Sequence, residues 1–85
     1  MQSKIFYKSS VEKDLKGINH QGRTRILKEI EDYLSKNPAE GKILKGKFKE
    51  LRSLRVGDYR IIYTLIKEGV LILKVGHRKE IYKEK

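Results

Sequence analysis

The sequence predicts an α+β fold: an N-terminal helical hairpin packed on one face of a small, mostly antiparallel sheet, in the order β-αα-βββ. Three observations predict it. Apolar residues recur at helical spacing between Ile26 and Leu34. Beyond residue 47 the period becomes extended, and short glycine-bearing connections punctuate the extended runs. At 85 residues the chain has material for one core, so residues 1–85 read as a single domain.

Each element has its own signal. Lys4–Lys8 (KIFYK) is short, aromatic and β-branched, as a first strand should be. Ser9 and Glu12 have capping-box spacing, with Ser9 expected as N-cap, and Val11, Leu15 and Ile18 form one stripe of a two-turn helix. Asn19 is placed to cap a second helix. On that helix Ile26, Leu27, Ile30, Tyr33 and Leu34 make the apolar face, and Asn37-Pro38 ends it. Residues 39–47 read as a basic loop. Phe48–Val56, Tyr59–Lys67 and Val70–Val75 are three strands, joined at Gly57-Asp58 and Glu68-Gly69 into a meander. Seven of the eight residues in Tyr59–Ile66 are uncharged, which makes that strand central.

Composition narrows the function. Cysteine is absent, which removes disulfides, thiolate metal sites and cysteine nucleophiles. No apolar run approaches the ~18–20 residues of a membrane span, and the amino end carries no signal-peptide stretch. The expectation is a cytoplasmic protein with no membrane role. The net charge is +10, unevenly spread: residues 1–40 hold eight basic and six acidic side chains, residues 41–85 thirteen and five. A thermophilic surface would enrich both signs, so the lopsided second half favours a polyanion partner, nucleic acid first. There is no phosphate-binding glycine loop, no carboxylate cluster for a divalent cation and no Ser-His-Asp set. Asp58 alone cannot hold a metal, so neither cofactor nor metal is implied.

The basic residues have a geometric pattern. A two-residue hairpin at Gly57-Asp58 sets Val56 opposite Tyr59 and therefore Arg55 opposite Arg60. Opposed like charges cost up to ~1 kcal/mol, which an anion between them offsets. Arg78, after the last strand, is placed to join them. The alternative is three independent surface arginines with solvated heads. Lys42, Lys45, Lys47 and Lys49 flank the cluster, as either a solvated loop or phosphate contacts, and Arg52 joins the substrate-binding set. His77 is either a structural residue or a supplementary acid or base. Tyr82 either packs on the sheet or stacks on a base.

The stretch LRSLRVGDYRIIY (Leu51–Tyr63) together with VGHRKEIY (Val75–Tyr82) resembles the RelE/ParE superfamily of type II toxin–antitoxin toxins, over nearly the whole chain. The resemblance implies the microbial-RNase-type version of this fold. For RelE-like members it implies a ribosome-dependent endoribonuclease that cuts mRNA in the A site. For ParE-like members it implies a non-enzymatic inhibitor of DNA gyrase. Both are held inactive by a cognate antitoxin, here an acidic, RelB-like one. By position, Arg60 would contact the scissile phosphate, Arg78 would assist the leaving group and Tyr82 would orient or stack on a base. Arg55 matches a basic position, and Leu44 and Lys45 lie where archaeal-type relatives make functional contacts. Ser53 and Leu51 depart from the pattern, standing where many RelE-like enzymes carry basic residues. The reading is therefore a metal-independent mRNA interferase, with ribosome and mRNA as partners. A gyrase inhibitor and a non-toxic RNA-binding module are the alternatives.

Overall fold

The computed structural model describes residues 3–39, 41–43 and 51–77. In chain order these form β1 (Lys4–Tyr7), α1 (Ser9–Lys16), α2 (His20–Lys28) with a π-helical continuation (Glu29–Leu34), β2 (Lys42–Ile43), β3 (Arg52–Val56), β4 (Tyr59–Ile66) and β5 (Gly69–His77). The five strands form one mixed sheet in the order β1-β5-β4-β3-β2, with β1 parallel to β5 and every other pair antiparallel. The α+β architecture is the one the sequence predicts. Among the described residues no helix is long and apolar enough to cross a membrane.

The helices cover one face of this sheet. Val11, Ile18, Ile26, Ile30 and Leu34 interlock with Val56, Ile61, Tyr63, Val70, Ile72 and Val75 in a single core. Burial of these side chains is the main stabilising term. The opposite face carries no helix among the described residues.

Asn19 caps α2 as expected, its Oδ1 accepting from the Gly22 amide at 2.8 Å. The first cap differs from expectation. Helix α1 begins at Ser9 with extended Lys8 as its N-cap, and no side chain caps it. The Lys8 amide is already committed to Ile72 O at 2.9 Å, so tertiary pairing rather than a capping box fixes the start of α1.

The second helix also departs from simple periodicity. Over its last six residues it widens to a π-helix, the Ser35 amide reaching back five residues to Ile30 O at 3.1 Å. Positions four apart drift by about 40° on an α-helix. The wider turn takes up that drift, so Ile26, Ile30 and Leu34 are all fully buried while Tyr33 is turned outward.

Residues expected as loop include the short strand β2, paired at Lys42–Ser53 and Ile43–Arg52. The second hairpin turns at Lys67-Glu68, one residue earlier than expected, and Gly69 opens β5 at φ +151°. An added Cβ there would run into the carbonyl of Lys4 on the neighbouring strand. That close approach lets β1 pair alongside β5 from its first residue.

Between β4 and β5 the ladder slips. Ile62 pairs with Lys74 but Tyr63 pairs with Ile72, leaving Leu73 as an extra residue. This bulge decides which side chains of β5 reach which face.

Candidate nucleic-acid interface

The face away from the helices is built around one cross-strand pair. Arg55 and Arg60 lie directly opposite each other, with Val56 opposite Tyr59 at the hairpin end, as the turn length requires. Their Cβ atoms are thus about 4.5–5.5 Å apart on the same side of the sheet. Arg60 is half-buried and its Nη1 donates to the Ser53 hydroxyl at 3.4 Å. Ser53 is itself buried on that face and paired with Ile62. Arg55 is exposed, and its Nε donates to Gly57 O at 3.2 Å, which bends the side chain toward the hairpin turn. On the other flank, Arg60 lies opposite Gly76, which contributes no side chain.

Lys74 belongs to this face as well. It pairs with Ile62, in the row next to Arg60, and is half-buried. Sequence reasoning missed it. Counting an unbroken ladder back from Ile66–Gly69 sets Lys74 opposite Ile61, on the helix side; the extra residue at Leu73 turns it to the face away from the helices. Arg55, Arg60 and Lys74 therefore gather three cationic side chains on one face, over a floor of Ser53, Ile62 and Gly76. Fixed guanidinium groups on a rigid sheet suit phosphate oxygens, which they bind through paired, charge-assisted hydrogen bonds.

Two sequence-selected residues are not part of this arrangement. His77 pairs with Tyr59, and the two rings meet edge to face with centroids 6.0 Å apart and an interplanar angle of 77°. Tyr59 shares its side of β4 with the core residues Ile61 and Tyr63, so His77 is on the helix side, across the sheet from Arg60. The same bulge is the cause: an unbroken ladder would have put His77 beside the arginines. Arg52 is also turned to the helix side, in step with Leu54 and Val56. Its Nη1 donates to Ala39 O at 3.1 Å and to Gly41 O at 3.2 Å. Arg52 thus holds the segment between α2 and β2 in place.

A second anchor works on the same segment. Tyr63 is fully buried, and its hydroxyl donates to Pro38 O and accepts from the Gly41 amide, both at 2.8 Å. Tyr63 and Arg52 together fix the direction in which the chain leaves α2 for the basic stretch that follows β2. Leu44, Lys45, Lys47 and Lys49 in that stretch, and Arg78 and Tyr82 beyond β5, lie outside the described residues. Among the described residues no group of three or more His, Asp or Glu side chains is placed to hold a metal ion.

Solved structures of toxin–antitoxin pairs share this architecture. The RelBE2 toxin–antitoxin complex of Mycobacterium tuberculosis contains a chain 26% identical to this one, matched over 92% of this chain and 100% of that one, with a TM-score of 0.85. The RelB–RelE antitoxin–toxin complex of Methanococcus jannaschii contains one 30% identical over 92% and 95% of the two chains, with a TM-score of 0.70. A mutant of the E. coli toxin RelE in its free state, 21% identical over 99% and 94%, has the same fold at a TM-score of 0.77. No curated protein matches the sequence. The class these define is the small α+β toxin of the RelE/ParE superfamily. Residues 5–82 match the family model described as the ParE toxin of the type II toxin–antitoxin system parDE, and the chain belongs to that family.

Proposed function

We propose that this toxin is a metal-independent endoribonuclease that cuts mRNA in the A site of the translating ribosome and so stops translation. The observation that carries the reading is the Arg55–Arg60 pair on the sheet face away from the helices, with Arg60 half-buried and braced by Ser53. A binding protein that only needs positive charge gains nothing from opposing two arginines on adjacent strands. A phosphoryl-transfer site gains two guanidinium groups held on one rigid surface.

RNA brings its own nucleophile. In this reading the 2′-oxygen forms a bond to the adjacent phosphorus as the bond to the 5′-oxygen of the next nucleotide breaks. The proton of the 2′-hydroxyl is transferred away and the leaving 5′-oxygen gains one. Charge that builds on the non-bridging oxygens is met by Arg60, with Arg55 and Lys74 adding to the local field. Arg78, immediately after β5, assists the leaving group, and Tyr82 stacks on a base to hold the 2′-oxygen in line. The basic stretch with Leu44, Lys45, Lys47 and Lys49 tracks the RNA backbone. In its cytoplasmic setting the toxin is masked by an acidic, RelB-like antitoxin, whose grip weakens as salt rises.

The test is Arg60→Ala in a translating extract. Cleavage should fall by about 10²–10³-fold, the usual cost of removing one preorganised charge donor. Circular dichroism and melting should stay near wild type, because Arg60 is outside the core cluster. A folded Arg60→Ala toxin that cuts mRNA at the wild-type rate refutes the proposal. The match to a ParE family model favours one other reading, inhibition of DNA gyrase without catalysis. In that case mRNA stays intact and supercoiling stalls.

A further inference from the structure

We infer that the toxin has a second phosphate station at the tip of the β3–β4 hairpin, formed by Arg25 of α2 and Arg55 of β3 on either side of Gly57, and that it takes the RNA phosphate next along the chain from the one at Arg60. The inference rests on the RNA-cleaving reading above and extends it to Arg25, which that reading leaves unused.

Gly57 occupies the hairpin turn at φ +60°, a left-handed conformation that favours glycine. A Cβ built there would lie 3.3 Å from Arg25 Nη1 and 3.6 Å from the guanidinium carbon. The bare turn therefore lets the Arg25 head lie against the backbone. From the face away from the helices, exposed Arg55 reaches the same residue through its Nε bond to Gly57 O. Two guanidinium groups from different layers converge on one residue, and Arg60 is one ladder step from Arg55. Asp58 is the single carboxylate within the turn itself.

Two such heads against one hairpin tip, with Arg60 opposite Arg55 in the ladder, repel one another unless anionic density threads between them. Arg55 and the tip are two residues apart, roughly 7 Å along the strand at about 3.4 Å per residue. A polyanion held at Arg60 can thus pass over the tip to Arg25, from the far face of the sheet toward the helix layer. Gly57 offers no side chain to obstruct that path. A single-stranded RNA backbone, flexible and charged at each nucleotide, fits it; an acidic polypeptide is the competing occupant.

The test compares wild type with Arg25→Gln, Arg25→Lys and Arg60→Gln, measuring anisotropy of a labelled, 2′-deoxy-blocked single-stranded RNA across a salt series. Removing one cation that neutralises a phosphate of a single strand lowers the salt slope by about 0.7, or about fivefold in relative affinity over a tenfold change in salt. Arg25→Gln should show that change at an unaltered melting temperature, and Arg25→Lys, which keeps the charge, should recover most of the slope. A slope unchanged by Arg25→Gln but lowered by Arg60→Gln overturns the second station and leaves the nuclease reading standing. Wild-type protein that does not bind the RNA at all overturns the second station, and the nuclease reading is decided separately by cleavage on translating ribosomes. Loss of polyglutamate binding in Arg25→Gln with RNA binding intact also overturns the inference, assigning the tip to an acidic protein partner.

Discussion

Replacing Tyr63 by Phe should destabilise the toxin by about 2–3 kcal/mol while leaving its core packing untouched. The ring is fully buried and stays in the variant; only the hydroxyl is lost. That hydroxyl serves two partners, accepting from the buried Gly41 amide and donating to the half-buried Pro38 carbonyl, at 2.8 Å each. An unsatisfied buried amide costs about 1–3 kcal/mol, and the lost bond to the carbonyl, which can turn to water, adds about 0.5–1 kcal/mol. For a domain of this size 1 kcal/mol corresponds to about 4–8 °C, so the midpoint should fall by roughly 10–20 °C. Urea denaturation followed by circular dichroism measures the change, with an unchanged m-value showing that the unfolding reaction is the same. Cleavage should weaken too, because the chain between α2 and the basic stretch loses its anchor. A loss below about 0.5 kcal/mol would mean that the Gly41 amide finds another partner, and Tyr63 would then be no anchor.

Other substitutions probe the site and its supports. Ser53→Ala removes the hydroxyl that braces Arg60 and should slow cleavage several-fold in a single-turnover assay, with little change in substrate affinity. Gly69→Ala, which forces a side chain into φ +151° and into the Lys4 carbonyl, should cost at least about 1–3 kcal/mol in chemical denaturation. Burial, reinforced by the nearby Glu31 carboxylate, pushes the Tyr7 hydroxyl above its ordinary value of 10.0. The folded state therefore holds that proton more tightly than the unfolded chain. The stability this supplies is complete below pH 10 and is lost as pH rises through the folded value. An absorbance titration of Glu31→Gln should show Tyr7 ionising at lower pH than in the wild type.

The parts of the fold that read directly from sequence are those fixed by local chemistry. Asn19 caps its helix because its side chain needs only the amide three residues on. The Arg55–Arg60 pair follows from a two-residue turn, which leaves no freedom in register. What did not read was set at longer range. Leu73 carries no mark of a bulge, yet it inverts the faces of everything after it, exchanging Lys74 for His77 beside the arginines. Arg52 looks like any cation on a basic strand, and only its alternation with Leu54 and Val56 assigns it to carbonyls 39 and 41. The Tyr63 hydroxyl finds partners 22 and 25 residues away in the chain, a pairing no local pattern encodes. The widening of α2 is likewise a packing solution, chosen by the sheet beneath Ile30 and Leu34.

The nuclease proposal is tested most directly by adding purified toxin to translating ribosomes and mapping the 5′ ends of the mRNA fragments by primer extension. Breaks confined to the codon in the A site, present with wild type and absent with Arg60→Ala, are the expected result. Intact message in both reactions, with translation continuing, would contradict it.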